Sequence, residues 1–397
     1  MNSNGTPNSL PEAADIIILG AGVMGASIAF HLAKRRAGKI VVIDKDHVGR
    51  GGSGRSSALV RMHYSFPPEV QLALISLRMF QHWQEIVGQP GDFRKTGFVR
   101  IVHPNETERL KQNVEMQRSL GAKVELIDKN QLRELEPDWA IDDVALAAYE
   151  PDSGYGDGAG VAGDFLTAAR DLGVQYFSRT EACAFSVKAG EIRAVSTAQG
   201  TVSAPIVICA TGPWSKPLLH KANCDVPIEC EFHQVAILRN AADMKGGGCA
   251  CIDSMTATYF RSDARDKFLV GDFYGSRPVD PENFAQRASD ESLEEIIERA
   301  SRRIPKLAGA EVMRGVTGVY DMTPDSRPLL GAMPEISGLY ICAGFSGMGF
   351  KISPAIGLVM SELILDGRAQ SVDIGAFRPD RFRLNQPIKA EYEYVDD

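Results

Sequence analysis

Three glycines constrain this chain more than any other feature. Gly20, Gly22 and Gly25 fall in the string Ile-Ile-Ile-Leu-Gly-Ala-Gly-Val-Met-Gly, where a short apolar strand at 16–19 turns directly into a helix. The first glycine permits a tight turn. The second leaves the backbone bare where a pyrophosphate must approach, and the third, with Ala29 four residues on, lets the helix lie close to the sheet. The helix start then offers unpaired N–H groups and a partial positive charge to phosphate. A second strand at 39–43 ends in Asp44, about 20 residues past the glycines, where a carboxylate accepts hydrogen bonds from a ribose. The pattern predicts a strand–helix–strand unit that binds a dinucleotide.

The length, 397 residues, predicts two or three structural units at roughly 100–200 residues each. Hydrophobic residues make up 44% of the chain, enough for a full core. The balance of 43 basic against 51 acidic residues gives a net charge of −8. That charge argues against nucleic acid or an anionic membrane as partner. No apolar run approaches the ~20 residues that a spanning helix needs. Residues 1–14 are polar, include Pro7 and Pro11, and lack the basic and apolar regions of a signal peptide; a disordered leader is expected there. Seven cysteines without a regular framework predict reduced thiols in a cytoplasmic enzyme. Cys249-Ala-Cys251 is the only close pair and has no neighbouring histidine or second pair, so no metal site is expected.

Beyond the fingerprint lies a glycine–serine stretch at 49–57, then a helical pattern at 68–87 and helix-like segments at 106–120 and 131–135. A glycine-rich loop at 151–158 precedes a helix at about 162–172, with Gly173 as its stop. The run Ile206-Val-Ile-Cys-Ala-Thr-Gly212 reads as a buried strand meeting glycine. From 226 to 275 the pattern is mostly strand-like. At 291–304, Leu293, Ile296, Ile297, Ala300 and Ile304 share one helix face. The last informative block, Leu339-Tyr-Ile-Cys-Ala-Gly-Phe-Ser-Gly-Met-Gly-Phe-Lys351, is a strand opening into a helix at about 354–365. Glycine-ended strands thus occur at 20, 212 and 344. A single nicotinamide unit does not require the last two. A flavin dinucleotide, spread over roughly 20 Å, does.

Five elements, in this order, carry a resemblance: the glycine fingerprint, the Gly-Gly-Ser-Gly segment, Ala-Thr-Gly-Pro-Trp-Ser215, Tyr320-Asp-Met-Thr-Pro-Asp325 and Gly344-Phe-Ser-Gly-Met-Gly-Phe-Lys351. Together they resemble the FAD-dependent amino-acid oxidoreductases, the group of D-amino-acid oxidase, glycine oxidase and sarcosine oxidase, and most nearly its sarcosine oxidase–dimethylglycine dehydrogenase branch. The resemblance spans nearly the whole chain. It implies an α/β fold, α+β overall. A discontinuous Rossmann-like FAD-binding domain would comprise residues 15–87, 148–215 and 314–384. A substrate domain with a large mixed, mostly antiparallel sheet would comprise 88–147 and 216–313, leaving tails at 1–14 and 385–397. FAD contacts are then expected from Gly20, Ala21, Gly22, Val23, Met24, Gly25, Asp44, Lys45, Gly52, Ser53, Ser57, Ala58, Ala182, Ala210, Thr211, Gly212 and Trp214. The closing block would add Gly344, Phe345, Gly347, Met348, Gly349, Phe350 and Lys351.

The implied activity is oxidation of the C–N bond of a small amino acid or N-methyl amino acid. A hydride equivalent passes to flavin N5 and the resulting imine hydrolyses. The electrons go to oxygen or to an acceptor protein. Arg61 matches an arginine that clamps the substrate carboxylate in similar enzymes, and Lys351 matches its second partner. Tyr320 matches a tyrosine lining the substrate pocket. His63 and Tyr64, beside Arg61, are candidates for the same pocket, His63 as a proton relay near neutral pH. Backbone N–H groups of the 344–351 loop would face the negative charge of reduced flavin. Some relatives attach FAD through a cysteine two residues before the pocket tyrosine, where this chain has Gly318. Others use a histidine in the glycine–serine segment, where it has Arg55. Non-covalent FAD is therefore expected. The lysine that promotes oxygen reaction in monomeric sarcosine oxidases is matched by Leu269, with Lys267 two residues away. Two alternatives remain open: an FAD-dependent hydroxy-acid or polyol-phosphate dehydrogenase, and a non-catalytic FAD-binding partner or assembly subunit. An oligomer is compatible with all three.

Overall fold

The structure, a computed structural model, describes residues 9–239, 248–263, 267–273, 277–391 and 394. Short apolar runs ended by glycine become buried strands. They form a six-stranded sheet in the order Leu329–Ala332, Leu339–Ala343, Ile206–Cys209, Ile16–Leu19, Ile40–Ile43, Gln175–Phe177. Its last five strands are parallel, and Leu329–Ala332 joins the edge antiparallel. The strands leading to Gly20, Gly212 and Gly344 are therefore direct neighbours running the same way. Their C-terminal tips share one edge, the edge at which open parallel sheets bind ligands.

Both faces of this sheet are covered, as a parallel sheet requires. Ile16 and Ile18 join the core beneath the helices Val23–Lys34, Gly158–Asp171 and Gly349–Asp366. Ile17 and Leu19 point the other way, into a core with Ile192, Val195 and Val202 from a three-stranded antiparallel sheet. The first and last helices touch backbone to backbone. A Cβ on Gly357 would stand 2.1 Å from Ser27 Oγ and 2.6 Å from the Ser27 carbonyl.

Two helices begin earlier than expected. The helix Gly158–Asp171 starts four residues before 162 because the Asp157 side chain caps it, accepting from Ala159 N at 3.0 Å. The last helix starts at Gly349, not near Pro354, and carries that proline inside it. Proline has no N–H for the Phe350 carbonyl one turn earlier. Ser353 Oγ donates to that carbonyl at 2.8 Å instead. Ser76 Oγ accepts the next N–H, from Ala355, at 3.1 Å. Lys351 consequently sits in the first turn of a helix rather than in a loop.

A second, nine-stranded sheet contains Phe98–Ile101, Ala147–Glu150 and five longer or central strands between Glu229–Arg239 and Val312–Met322. Its pairings are antiparallel except that of Ala250–Asp253 with Phe98–Ile101. Leu293, Ile296 and Ala300 of the amphipathic helix Asp290–Arg303, with Ile304 just past its end, close one face. The other face presents Phe98, Val235, Ile237, Tyr259 and Leu269 toward Leu59.

The chain's ends differ from the expected tails. Ala13 bridges to Ser203 and Ala14 N donates to Ser203 O at 2.9 Å, so the leader is ordered before residue 15; residues 1–8 of it lie outside the described residues. At the other end Tyr394 is buried in the main core. All seven cysteines are unpaired. Among the described residues no helix is long and apolar enough to cross a membrane.

Candidate cofactor cleft and substrate site

Along the shared edge of strand tips runs a cleft of about 590 Å³. Gly20, Gly22, Val23, Met24, Asp44, Lys45, Gly52, Ser53, Ala182, Ala210, Thr211, Gly212, Trp214, Tyr320, Phe345, Gly347, Gly349 and Phe350 all line it. The fingerprint glycines are required by close approach. Gly20 has φ +99°, and a Cβ there would meet the Ala210 carbonyl oxygen at 2.4 Å; one on Gly25 would lie 1.9 Å from the Gly20 carbonyl oxygen. Gly22 faces Ser53, whose Oγ accepts from Val23 N at 3.0 Å. The helix start, bare at Gly22 and flanked by a serine hydroxyl, suits a pyrophosphate. Asp44 accepts from Ala21 N at 2.6 Å and Asp46 N at 2.7 Å. Burial pushes its carboxyl above the ordinary range against those two bonds. Lys45 lies 4.3 Å from the Trp214 ring centroid and pairs with Glu282 at 2.5 Å, which places a segment near 282 over this end.

Ala21, Gly25, Ser57, Ala58, Gly344, Met348 and Lys351 are not among the residues lining this cleft. Three of them are tied to their surroundings through their carbonyls: Ser57 O accepts from Arg261 Nε at 2.6 Å, Ala58 O from Gly156 N at 2.9 Å, and Met348 O from the Tyr64 hydroxyl at 3.4 Å. Asp321, adjacent to Tyr320 but not singled out beforehand, fixes the glycine loop. Its Oδ2 accepts from Gly344 N at 2.6 Å and its carbonyl from Ser346 N at 3.0 Å. Burial lifts its carboxyl to about 6. The 344–351 loop therefore spends the N–H groups of Gly344, Phe345 and Ser346 on Asp321. Gly347, Gly349 and Phe350 line the cleft, and the start of the helix there brings N–H groups without intrahelical partners to its wall.

Arg61, His63, Tyr64 and Lys351 gather beside the cleft. The Arg61 guanidinium lies 4.6 Å from the Tyr64 ring centroid and 5.9 Å from that of Phe98. Its Nη1 donates to the His63 carbonyl. Its Nε is buried without a hydrogen-bond partner among the described residues. Lys351 is 7% exposed; burial, then the charge of Arg61, hold its ammonium well below the usual range, opposed by Glu69. Glu69 in turn pairs with Arg327 Nε at 2.9 Å. Tyr320 stacks on His233 with centroids 3.8 Å apart and its hydroxyl shares a hydrogen bond with that of Tyr259. A Cβ on Gly271 would strike the Tyr259 ring at 2.2 Å, so that glycine makes room for the pair.

His63 departs from the expected proton relay. It is buried, and desolvation with the charges of Arg100 and Arg61 pushes its imidazole well below the usual histidine value. That shift disfavours the imidazolium form a relay would pass through. Its Nε2 instead shares a 2.8 Å hydrogen bond with the Tyr394 hydroxyl. Among the described residues no cluster of three or more metal-binding side chains occurs.

Glu150, also unanticipated, supports the Arg61 loop: its Oε2 accepts from Met62 N at 2.8 Å and Ser153 Oγ at 2.6 Å. Burial raises its carboxyl from 4.5 to about 7, opposed by those bonds and by Arg61. Between these pH values the folded protein holds a proton that the unfolded chain has lost, so stability falls as pH rises, by on the order of 3 kcal/mol in total. Glu150→Gln removes this slope. The melting-temperature advantage of the parent over Glu150→Gln is expected to shrink from pH 5 to pH 8; a constant difference would rule out a protonated Glu150.

A family model described as FAD dependent oxidoreductase (DAO) matches residues 15–363. FAD-dependent oxidoreductase domain-containing protein 1 of Mus musculus is 26% identical, across 97% of this chain and 88% of its own. Glycine oxidase of Geobacillus kaustophilus is 26% identical, across 91% and 96%. The crystal structure of L-proline dehydrogenase from P. horikoshii matches with a TM-score of 0.88 at 28% identity, covering 96% of this chain and all of that one. With its glycine-lined cleft and a match over most of its length, this chain belongs to the FAD-dependent oxidoreductase family, and FAD is its cofactor.

Proposed function

We propose that the protein oxidises the C–N bond of a small amino acid or N-methyl amino acid, releasing an imine that hydrolyses. The pairing of Arg61 with Lys351 carries this reading. Arg61 and the buried amine of Lys351 stand together beside a carboxylate, Glu69, that already serves Arg327; such a place favours an incoming anion. Two of the relatives named above, a glycine oxidase and an L-proline dehydrogenase, bear names that refer to amino acids.

Bound FAD supplies the acceptor for the hydride equivalent that leaves the C–H beside nitrogen. The chain's own residues do the rest. Arg61 offers its unpartnered Nε to a carboxylate oxygen and so orients the reacting carbon. Lys351, whose ammonium is disfavoured by burial and by Arg61, takes the proton that a substrate ammonium must lose. That transfer leaves the reactive free amine and turns Nζ into the second cation for the carboxylate, with no net proton drawn from water. Tyr320, whose hydroxyl shares a hydrogen bond with Tyr259, lines the cleft where the substrate would lie.

Anaerobic titration with glycine, sarcosine, dimethylglycine, proline and D-amino acids, followed at the flavin band near ~450 nm, is expected to bleach the flavin with at least one of them. In Arg61→Ala the half-saturating concentration rises about 10- to 100-fold at unchanged flavin content. Unchanged affinity in that variant removes the clamp. Bleaching by a hydroxy acid alone moves the substrate class, and bleaching by nothing leaves a binding subunit.

Non-covalent FAD accords with the residues at both attachment positions of the relatives. Gly318 and Arg55 are neighbours, a Cβ on the glycine falling 3.5 Å from that of Arg55, and neither offers a thiol or imidazole. Acid precipitation is expected to leave the yellow colour in the supernatant; a yellow pellet contradicts it. Leu269 lies among Val235, Ile237 and Tyr259 in an apolar cluster, which favours an acceptor other than oxygen. On one sample, dye reduction should outpace oxygen consumption at least tenfold, and equal rates would make the protein an oxidase.

A further inference from the structure

The loop that carries Arg61, residues 61–66, leads into the helix Pro67–Gln81 and is tied from distant parts of the chain by the Tyr64 hydroxyl's bond to the Met348 carbonyl and by four further hydrogen bonds. Met62 N donates to Glu150 Oε2 at 2.8 Å, and Gln117 Nε2 donates to the Tyr64 carbonyl at 3.0 Å. Arg327 Nη2 donates to Ser65 Oγ at 3.3 Å. The fourth tie is the 2.8 Å bond between His63 Nε2 and the Tyr394 hydroxyl. It concerns Arg61 most directly, because Arg61 Nη1 rests on the carbonyl of residue 63 itself. Whatever fixes His63 fixes the acceptor that aims the guanidinium.

Tyr394 reaches this place from a segment anchored elsewhere. Arg381 grips both carboxylate oxygens of Asp325 at 2.7 and 2.8 Å, and Ile388 N donates to the same carboxylate at 2.9 Å. Arg327 N also donates to Asp325, at 3.2 Å, so one turn holds both the incoming tail and the arginine that ties Ser65. Tyr394 ends 3% exposed. Its ring is parallel to that of His63 within 8°, centroids 5.9 Å apart, and Arg100 lies 4.8 Å from its centroid.

We propose that Tyr394 is a positioning residue for the substrate carboxylate, acting through His63 on Arg61. The proposal rests on Arg61 being the carboxylate holder, and the test separates the two. The probe is pyrrole-2-carboxylate, titrated into the FAD-loaded protein and read by its perturbation of the flavin spectrum, with parent, Arg61→Ala, Tyr394→Phe and Ile296→Val compared. Ile296 lies in the core behind the nine-stranded sheet and reports generic destabilisation. Tyr394→Phe keeps the ring and removes the hydroxyl. It is expected to weaken the carboxylate about 3- to 10-fold, the range of one lost hydrogen bond, with flavin content and flavin reduction potential unchanged and Ile296→Val binding like the parent. Failure of Arg61→Ala to weaken the probe overturns the Arg61 reading and with it the proposal. Loss in Arg61→Ala with parent-like binding in Tyr394→Phe overturns the Tyr394 proposal alone. Tyr394→Phe that purifies without flavin, or weakening matched by Ile296→Val, assigns the tyrosine a purely structural role and overturns it as well.

Discussion

Everything at the cleft depends on the parallel hydrogen-bond ladder that sets Ile16–Leu19 between Ile40–Ile43 and Ile206–Cys209, and the latter beside Leu339–Ala343. Parallel neighbours end at the same edge. Three turns, at Gly20, Gly212 and Gly344, that lie far apart in sequence thereby become one rim. The turns must then be thin: the 2.4 Å and 1.9 Å approaches at Gly20 and Gly25 leave no room for a methyl group. A methyl at either place would push the turn away from the strand next to it and the rim would open.

The substrate side obeys a different constraint. Here charge is buried, and burial is costly unless each group is paired or neutralised. The molecule uses both solutions. Arg327 and Glu69 pair, as do Arg381 and Asp325. Glu150, His63 and Lys351 are pushed toward their neutral forms. The Arg61 guanidinium lies over the faces of Tyr64 and Phe98.

What was legible in the sequence was local. The strand 16–19, its glycines and Asp44 lie within one strand–helix–strand unit, and spacing alone places them. The amphipathic stripe of 293, 296, 300 and 304 is likewise a matter of helical period. The start of the last helix was not legible, because Pro354 reads as a boundary and only the distant Ser76, with Ser353, makes it tolerable in the interior. Asp321 stood inside a recognised motif, yet its function as a clamp on the 344–351 loop needs the fold. The supports of Arg61 were beyond reach altogether. Glu150 is 88 residues from Met62, and Tyr394 is 331 from His63; no periodicity spans such distances.

The contact between Ser27 and Gly357 has a consequence for how the protein is made. The first helix and the last share a backbone surface, and the rim is incomplete until the strand Leu339–Ala343 has joined the sheet. During synthesis the N-terminal strand–helix–strand unit emerges early, but it has no third wall to hold a flavin. Contacts of such long range form late and slowly. A rim that can grip the cofactor from all three strand tips therefore exists only after the strand Leu339–Ala343 has been made and has paired.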